Sequence, residues 1–207
     1  MPDQPLFESL EGLRGAGKST IAPLLAAARG AVPVSTVPPL FQALRREVDA
    51  RDNIEARMAF YLSALFTVTD EIRRHLVAGT PVVVDSYFAR CLANHRAFGS
   101  RLRVTLPVDL PHPVTYNLVC APGERQRRLH ARDKPISRWD GRAEEVAEQI
   151  TQAYAAFPMH RLDTTGLTPG QVVDTILTLT SQGGRHAHPQ PVGAHPHVLP
   201  SVPRSPR

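Results

Sequence analysis

The segment that most constrains this chain lies near its N-terminus, where residues 12–19 read GLRGAGKS and match the pattern G-x4-G-K-[ST]. A short apolar run, residues 6–11, precedes it, and apolar residues recur at helical spacing over residues 18–29. In a strand–loop–helix context such glycines let backbone N–H groups surround phosphate oxygens, and the helix N-terminus adds its positive partial charge. The sequence therefore predicts a phosphate-binding loop.

Two side chains of this loop have a predicted role in binding ATP and Mg²⁺. Lys18 is expected to bridge the β- and γ-phosphates of ATP, and Ser19 is expected to bind Mg²⁺. Lys18 is also one of only two lysines in the chain, the other being Lys134. The predicted ATP-binding residues of the loop are Gly12, Gly15, Ala16, Gly17, Lys18, Ser19 and Thr20.

A second candidate for the same site is Asp85, which ends the strongly β-like run Val82–Val84. Phosphate-loop proteins place an acidic residue near Mg²⁺ at such a position. There a carboxylate can hold a metal-bound water or accept a proton from a substrate hydroxyl. The plainer interpretation is an aspartate that caps the following helix.

Strand-like and helix-like segments alternate along the chain. Strands are predicted at 6–11, 31–36, 81–85, 114–120 and 161–164, and helices at 18–29, 41–51, 53–78, 88–98, 125–132, 142–156 and 169–179. This order predicts an α/β fold of the P-loop NTPase type, with a parallel sheet of about five strands and helices on both faces. We expect residues 1–180 to form one domain.

The basic composition is concentrated at the C-terminal end. The 207-residue chain has a formal net charge of +5, but residues 181–207 hold three arginines, six prolines, four histidines and no acidic residue. Residues 1–180 therefore carry only +2, which does not favour a nucleic-acid partner. Residues 181–207 are predicted to be a disordered tail, because they are rich in proline and poor in large apolar residues.

Other features of the sequence bear on the compartment. Cys91 and Cys120 lack metal-ligand spacing and are expected to be free thiols. No run is apolar for long enough to cross a membrane, and the N-terminus lacks the pattern of a secretory signal. The sequence therefore predicts a cytoplasmic protein.

A cluster of basic residues follows the fourth predicted strand: Arg125, Arg127, Arg128, Arg132, Lys134 and Arg138. A charge run of this kind is often a solvated helix face, and a nucleic-acid patch is another interpretation. Beside a phosphate loop, a mobile flap that brings arginine to the transferring phosphoryl group is the favoured one. Arg132 and Arg138 are the predicted catalytic arginines, and the others are expected at the surface.

With these features in place, the chain resembles the thymidylate kinase family. The resemblance lies in Glu11-Gly12 leading into the phosphate loop, residues 60–93, residues 121–138 and residues 162–165. It implies a kinase that uses ATP with Mg²⁺, and a homodimer formed through long helices such as 53–78. It also implies that Phe60 stacks on an acceptor base and that Thr164 and Thr165 lie against adenine. Asp85 and Tyr87 match the Asp and Tyr of the family's Asp-Arg-Tyr motif, which implies that Tyr87 binds the acceptor.

The acceptor side departs from the family pattern. Arg14 replaces an aspartate of the loop, Ser86 replaces the arginine of the Asp-Arg-Tyr motif, Ala64 replaces an arginine one turn after Phe60, and residues 35–39 carry no charge. Three arginines that grip an acceptor phosphate are thus missing, although Arg90 or Arg14 could substitute.

Three functions remain open on this evidence. The first is an ATP-dependent phosphotransferase acting on a nucleotide or a nucleotide-like small molecule. In the second, the acceptor is a hydroxyl group of a nucleoside, an antibiotic or another metabolite, with Asp85 as the base. The third is a nucleotide-binding module without catalysis.

Overall fold

Five parallel strands form the centre of the computed structural model, which describes residues 5–131 and 136–183. They are β1 (Phe7–Glu11), β2 (Val32–Val34), β3 (Val82–Asp85), β4 (Val114–Val119) and β5 (His160–Asp163). Their order in the sheet is β2-β3-β1-β4-β5. The predicted parallel α/β sheet of about five strands is therefore confirmed.

Eight α-helices connect and cover the strands in the described residues. They are α1 (Lys18–Arg29), α2 (Gln42–Asp49), α3 (Ile54–Val77), α4 (Phe88–Ala97), α5 (Pro122–His130), α6 (Arg138–Glu145), α7 (Ala147–Tyr154) and α8 (Pro169–Gly183). The single helix predicted over 142–156 is wrong: the backbone leaves the helical region at Val146 (φ −113°, ψ 25°) and divides it into α6 and α7.

Alternate residues of β3 explain why helices pack on both sheet faces. Val82 and Val84 pack with residues of α3 and α4, whereas Val83, between them, packs with residues of α1 and α8. Each such buried side chain adds about 1.5–3 kcal/mol to the free energy of unfolding, because folding removes its apolar surface from water. Because all strands are parallel, their carboxyl ends lie along one edge, and the connections that follow them can form a common site.

A buried ion pair ties α1 to β1. Glu8 is 1% exposed, and Arg29 donates to both of its carboxylate oxygens, over 3.0 Å to Oε1 and 3.1 Å to Oε2. The Tyr116 hydroxyl donates to Oε1 over 3.0 Å. The charge of Glu8 is thus matched inside the protein by a two-pronged contact.

The C-terminal end of the described chain is helical as far as Gly183. The predicted disordered tail therefore lies outside the described residues, apart from 181–183. In the described part, no helix combines the length and hydropathy that a membrane span requires.

Candidate active site

The phosphate loop follows β1 and contains left-handed glycines at positions where a side chain does not fit. Gly12 has φ +129°, and a Cβ atom there would lie 2.2 Å from the backbone oxygen of Leu118. Gly15 has φ +87°, and its Cβ atom would lie 2.8 Å from Cγ of Arg125. Both the backbone conformation and the close neighbours therefore require glycine at these positions.

Lys18 lies where the loop turns into α1. It is buried, and its Nζ donates to the backbone oxygens of Gly12 over 2.8 Å and Leu13 over 3.0 Å. The side chain thus bends back over the loop that it belongs to. Ser19 and Thr20 follow in the first turn of α1 and are exposed. Amide groups of a first helical turn have no acceptor within the helix and can donate to an anion.

Ser19 and Asp85 line one cleft of ≈ 310 Å³ at the carboxyl ends of β2 and β3. The rest of its lining is one further hydroxyl residue and an apolar wall: Ser35, Ala22, Pro23, Pro33, Val34 and Val83. A hydroxyl and a carboxylate are oxygen donors of the kind that Mg²⁺ takes alongside phosphate and water. The two predicted metal ligands are therefore brought together, and their donor atoms suit that ion.

The turn after β3 carries a backbone strain. Ser86 is buried and has φ +77°, the left-handed conformation that non-glycine residues rarely adopt. Its hydroxyl donates to Oδ1 of Asp85 over 3.2 Å and accepts from Nη1 of Arg90 over 3.3 Å. Arg90, from α4, thus places its guanidinium beside Ser86, which occupies the middle position of the Asp85–Tyr87 segment.

Glu11 is the last residue of β1 and is completely buried. Its Oε1 accepts from the backbone N–H of Tyr87 over 2.6 Å and from the Ser9 hydroxyl over 3.1 Å. Its Oε2 has no hydrogen-bond partner among the described residues. Burial raises the pKa of Glu11 to about 7, against the lowering effects of the Tyr87 N–H and of Arg90.

The connection after β5 contacts the phosphate loop through Thr164. The buried Thr164 hydroxyl donates to Val119 O over 3.1 Å and lies 3.4 Å from Ala16 O, and Arg128 donates to it and to the Thr164 carbonyl. Thr165 is exposed, and its hydroxyl donates to Asp163 over 2.6 Å. Of the predicted adenine-side pair, Thr164 thus lies beside the loop together with Arg128, whereas Thr165 contacts Asp163 and the Ala121 N–H.

For Arg125 of the basic cluster, the predicted surface position is wrong. Arg125 was expected at the surface, yet it is only 9% exposed. It donates to Glu144 over 2.6 Å and to the backbone oxygen of Arg14 over 3.2 Å, and it packs under Gly15. A charge pattern shows only that a helix is polar, whereas the burial of Arg125 comes from the loop and α6 packing against it.

Of the two predicted catalytic arginines, only Arg138 lies among the described residues. Arg132 lies outside the described residues. Arg138 is about half exposed and forms an ion pair with Asp52, on the segment that precedes α3. The flap role of both arginines therefore stays a prediction.

The predicted acceptor residues separate into two groups. Phe60 is 7% exposed, with its ring centroid 5.8 Å from that of Phe41, and Tyr87 is buried against Phe7 with a ring distance of 5.3 Å. Both aromatic side chains therefore belong to packed clusters. Arg90 stays beside Ser86, as described above.

Arg14, the other proposed substitute for the missing arginines, contacts α6. Its Nε lies 3.5 Å from Oδ1 of Asp140. The structure thus places Arg14 toward α6 and Arg90 toward the turn that carries Asp85.

A further cluster, which the sequence pattern does not predict, surrounds Arg57 of α3. The guanidinium lies 4.5 Å from the Trp139 ring centroid and 4.6 Å from that of Tyr61, and it donates to Asp49 over 2.9 Å. Its Nη1 lies 3.0 Å from Nε2 of His95. This cluster joins α2, α3, α4 and α6, and a single arginine in a long helix gives no signal of it.

His95 is neutral in this cluster. Burial lowers its pKa to about 4, and the positive charge of Arg57 acts in the same direction. Its Nδ1 lies 2.7 Å from Cys91 O, which assigns the ring proton to Nδ1 and leaves Nε2 to accept from Arg57.

Comparison with known proteins supports the fold. No family model matches the chain, and no curated protein matches it significantly in sequence. The fold is similar to that of a thymidylate kinase from Candida albicans, whose structure is described as revealing the origin of broad substrate specificity. The two are 16% identical, with a TM-score of 0.70 over 89% of this chain and 94% of the other. The chain has the fold of a P-loop kinase.

Proposed function

We propose that this protein is an ATP-dependent phosphotransferase that moves the γ-phosphoryl group of ATP to a nucleotide or a nucleotide-like small molecule. The observation that carries the proposal is that Ser19 and Asp85 line one cleft at the carboxyl ends of β2 and β3, while the neighbouring Lys18 folds back over the phosphate loop. The thymidylate-kinase-like fold supports it. The presence of Lys18, Ser19 and Asp85, the residues expected to act on the phosphoryl donor, weighs against a nucleotide-binding module without catalysis.

Each donor-side residue has a role that follows from its chemistry. The loop amides and the N-terminus of α1 bind phosphate oxygens, and Lys18 leaves the Gly12 and Leu13 carbonyls to contact the β- and γ-phosphates. Ser19 and Asp85 would hold Mg²⁺, which supplies charge neutralisation on the phosphates when bound. Thr164 and Thr165 would contact the nucleotide base.

For an anionic acceptor, Arg90 is the better placed of the two candidate arginines. It lies at the Asp85–Ser86 turn, whereas Arg14 is paired with Asp140 of α6. A guanidinium beside the reacting carboxylate can bind an acceptor phosphate through charge-assisted hydrogen bonds. Arg90 would thus bind the acceptor phosphate in place of an arginine at position 86, where this chain has serine.

One observation favours the second candidate function, a kinase of a hydroxyl group. Among the described residues that line the cleft beside Asp85, none is basic. An uncharged acceptor needs no arginine there, and the Asp85 carboxylate can accept its hydroxyl proton. The charge of the acceptor is therefore what separates the two candidates.

An ATP-consumption screen tests both. The acceptors are dTMP, the other nucleoside monophosphates, nucleosides and small hydroxylated metabolites. Turnover of a monophosphate supports the first candidate, and turnover of uncharged hydroxyl compounds supports the second. Nucleotide binding without turnover of any acceptor would instead support the module without catalysis.

Lys18→Ala is the variant that tests the donor site. We expect it to reduce turnover by at least about 100-fold, since it removes a charge aimed at the transferring group. Arg127→Ala is the matched control, because it also removes one cation but from an exposed ion pair with Glu124 on α5. Unchanged turnover in Lys18→Ala, with both variants folded by circular dichroism, would rule out the proposed function.

The homodimer and the cytoplasmic location stay predictions. Analytical ultracentrifugation of the full chain tests the first of them.

A further inference from the structure

Glu11 has contacts that the donor site as described leaves unexplained. It is a fully buried carboxyl group with one oxygen engaged twice and the other, Oε2, without a hydrogen-bond partner among the described residues. Buried polar atoms without partners are rare and costly, so each one needs an explanation. The hydrogen bond that Oε1 accepts from the Tyr87 N–H gives a reason for a carboxyl group at this position.

The partner of Oε1 is the backbone N–H of Tyr87, which directly follows the left-handed Ser86. A left-handed serine is strained, and it persists only where its surroundings hold it. The 2.6 Å hydrogen bond from Tyr87 is a contact that does so. Asp85, the residue before Ser86, lines the cleft that it shares with Ser19.

Glu11 also lies against the other half of the site. It directly precedes Gly12, whose N–H donates to the Tyr154 hydroxyl over 3.4 Å. The charges of Lys18 and Arg90 both act on the Glu11 carboxyl group, and Glu11 in turn acts on Tyr154. One side chain therefore connects the start of the phosphate loop with the turn that carries Asp85.

We propose that Glu11 is a positioning residue for phosphoryl transfer: by accepting from the Tyr87 N–H, it holds the left-handed Ser86 turn and so sets the place of Asp85 relative to the phosphate loop. The inference rests on the proposed function for its effect on rate, and on the structure alone for its effect on the turn. Glu11 does not act on the reacting atoms itself.

Two substitutions separate the hydrogen bond from the volume of the side chain. Glu11→Gln keeps a carbonyl oxygen that can accept from Tyr87, whereas Glu11→Leu has a similar size and no acceptor. Three quantities are measured on the full chain: hydrogen exchange of the Tyr87 amide by NMR, the Kd of ADP without Mg²⁺, and kcat with whichever acceptor the screen identifies.

We expect Glu11→Leu to lose the protection of the Tyr87 amide and to lower kcat by about 10- to 100-fold, the effect of a misplaced catalytic group. The Kd of ADP without Mg²⁺ should stay within about threefold, because the loop amides and Lys18 remain and this binding does not depend on Asp85. Glu11→Gln should retain amide protection and lie within about threefold of the wild-type kcat, since the hydrogen bond is kept.

Ser86→Gly provides an independent check and remains available if Glu11→Leu folds poorly. Glycine adopts φ +77° without strain, so the turn then depends less on the hydrogen bond from Tyr87. With Gly at position 86, exchanging Glu11 for Gln or Leu should change kcat by less than about threefold. An undiminished effect of Glu11→Leu in that background contradicts the inference.

Two further results overturn it. One is a Tyr87 amide that stays protected in Glu11→Leu. The other is a Glu11→Gln protein as slow as Glu11→Leu with its amide still protected, which would mean that charge matters and not the turn. If the wild-type protein turns over no acceptor, the proposed function fails, but amide exchange still decides whether Glu11 holds the turn.

Discussion

Replacement of Gly12 by alanine tests the account of the phosphate loop quantitatively. The residue has φ +129°, and the added Cβ atom would lie 2.2 Å from the Leu118 carbonyl oxygen, which is backbone of β4 and cannot rotate away. The left-handed conformation costs about 1–3 kcal/mol for a non-glycine residue. Displacing a packed neighbour adds about 1–3 kcal/mol. We therefore expect Gly12→Ala to lower the free energy of unfolding by about 4 kcal/mol.

Two other glycines provide matched controls that separate these contributions. Gly79 has φ +77° but an added Cβ atom meets nothing within 4 Å, so Gly79→Ala should cost only the conformational part, about 1–2 kcal/mol. Gly141 lies inside α6 with open space around it, so Gly141→Ala should stabilise the protein by up to about 1 kcal/mol.

Urea unfolding followed by circular dichroism gives the comparison, with similar m values showing that the denatured states are alike. From the most to the least stable protein, the expected order is Gly141→Ala, wild type, Gly79→Ala and Gly12→Ala. A Gly12→Ala protein as stable as Gly79→Ala would show that the contact with Leu118 O does not exist in solution.

Two other substitutions test buried ionisable groups. Arg29→Ala leaves the Glu8 carboxylate without its cation and should cost about 3–5 kcal/mol in urea unfolding, and a loss below about 1 kcal/mol would contradict the buried pair. His95 has a folded pKa of about 4, below its usual value of 6.5, so its contribution to stability is present above pH 6.5 and lost as the pH falls toward 4. His95→Gln should therefore lose less stability than wild type between pH 7 and pH 4, by a margin on the order of 3 kcal/mol, and parallel pH curves would refute this.

Local sequence patterns correctly predicted strand β3 and helix α3, whose residue patterns are pronounced. The run Val82–Val84 is buried on both faces, and no other regular structure suits three consecutive β-branched residues so well. The long helix was predicted at 53–78 and occupies 54–77, because Asn53 caps its start with a bond from the Ala56 N–H and Gly79 follows its end.

What the patterns missed depends on contacts between distant segments. Val146 interrupts a helix with no proline or glycine at the break, and the two resulting helices bring Trp139 and Tyr154 into one core cluster. Arg57 is held by rings and charges from three other helices, which no periodicity of α3 encodes. In the candidate site, the phosphate loop and Asp85 follow from motif and spacing, whereas the role of Glu11 follows only from the Tyr87 N–H that faces it.

The common direction of the five strands has a practical consequence for surface attachment. The phosphate loop and the turn that carries Asp85 both lie at the carboxyl edge of the sheet, so a handle at the amino edge leaves the candidate site open to solution. Val77, 89% exposed at the end of α3 just before β3, is such a place. Burial raises the pKa of Cys91 to about 12 and also raises that of Cys120, so a Val77→Cys thiol should be the most reactive one toward a maleimide. A sensor chip coupled through that thiol would present the phosphate loop outward to nucleotides in the flow.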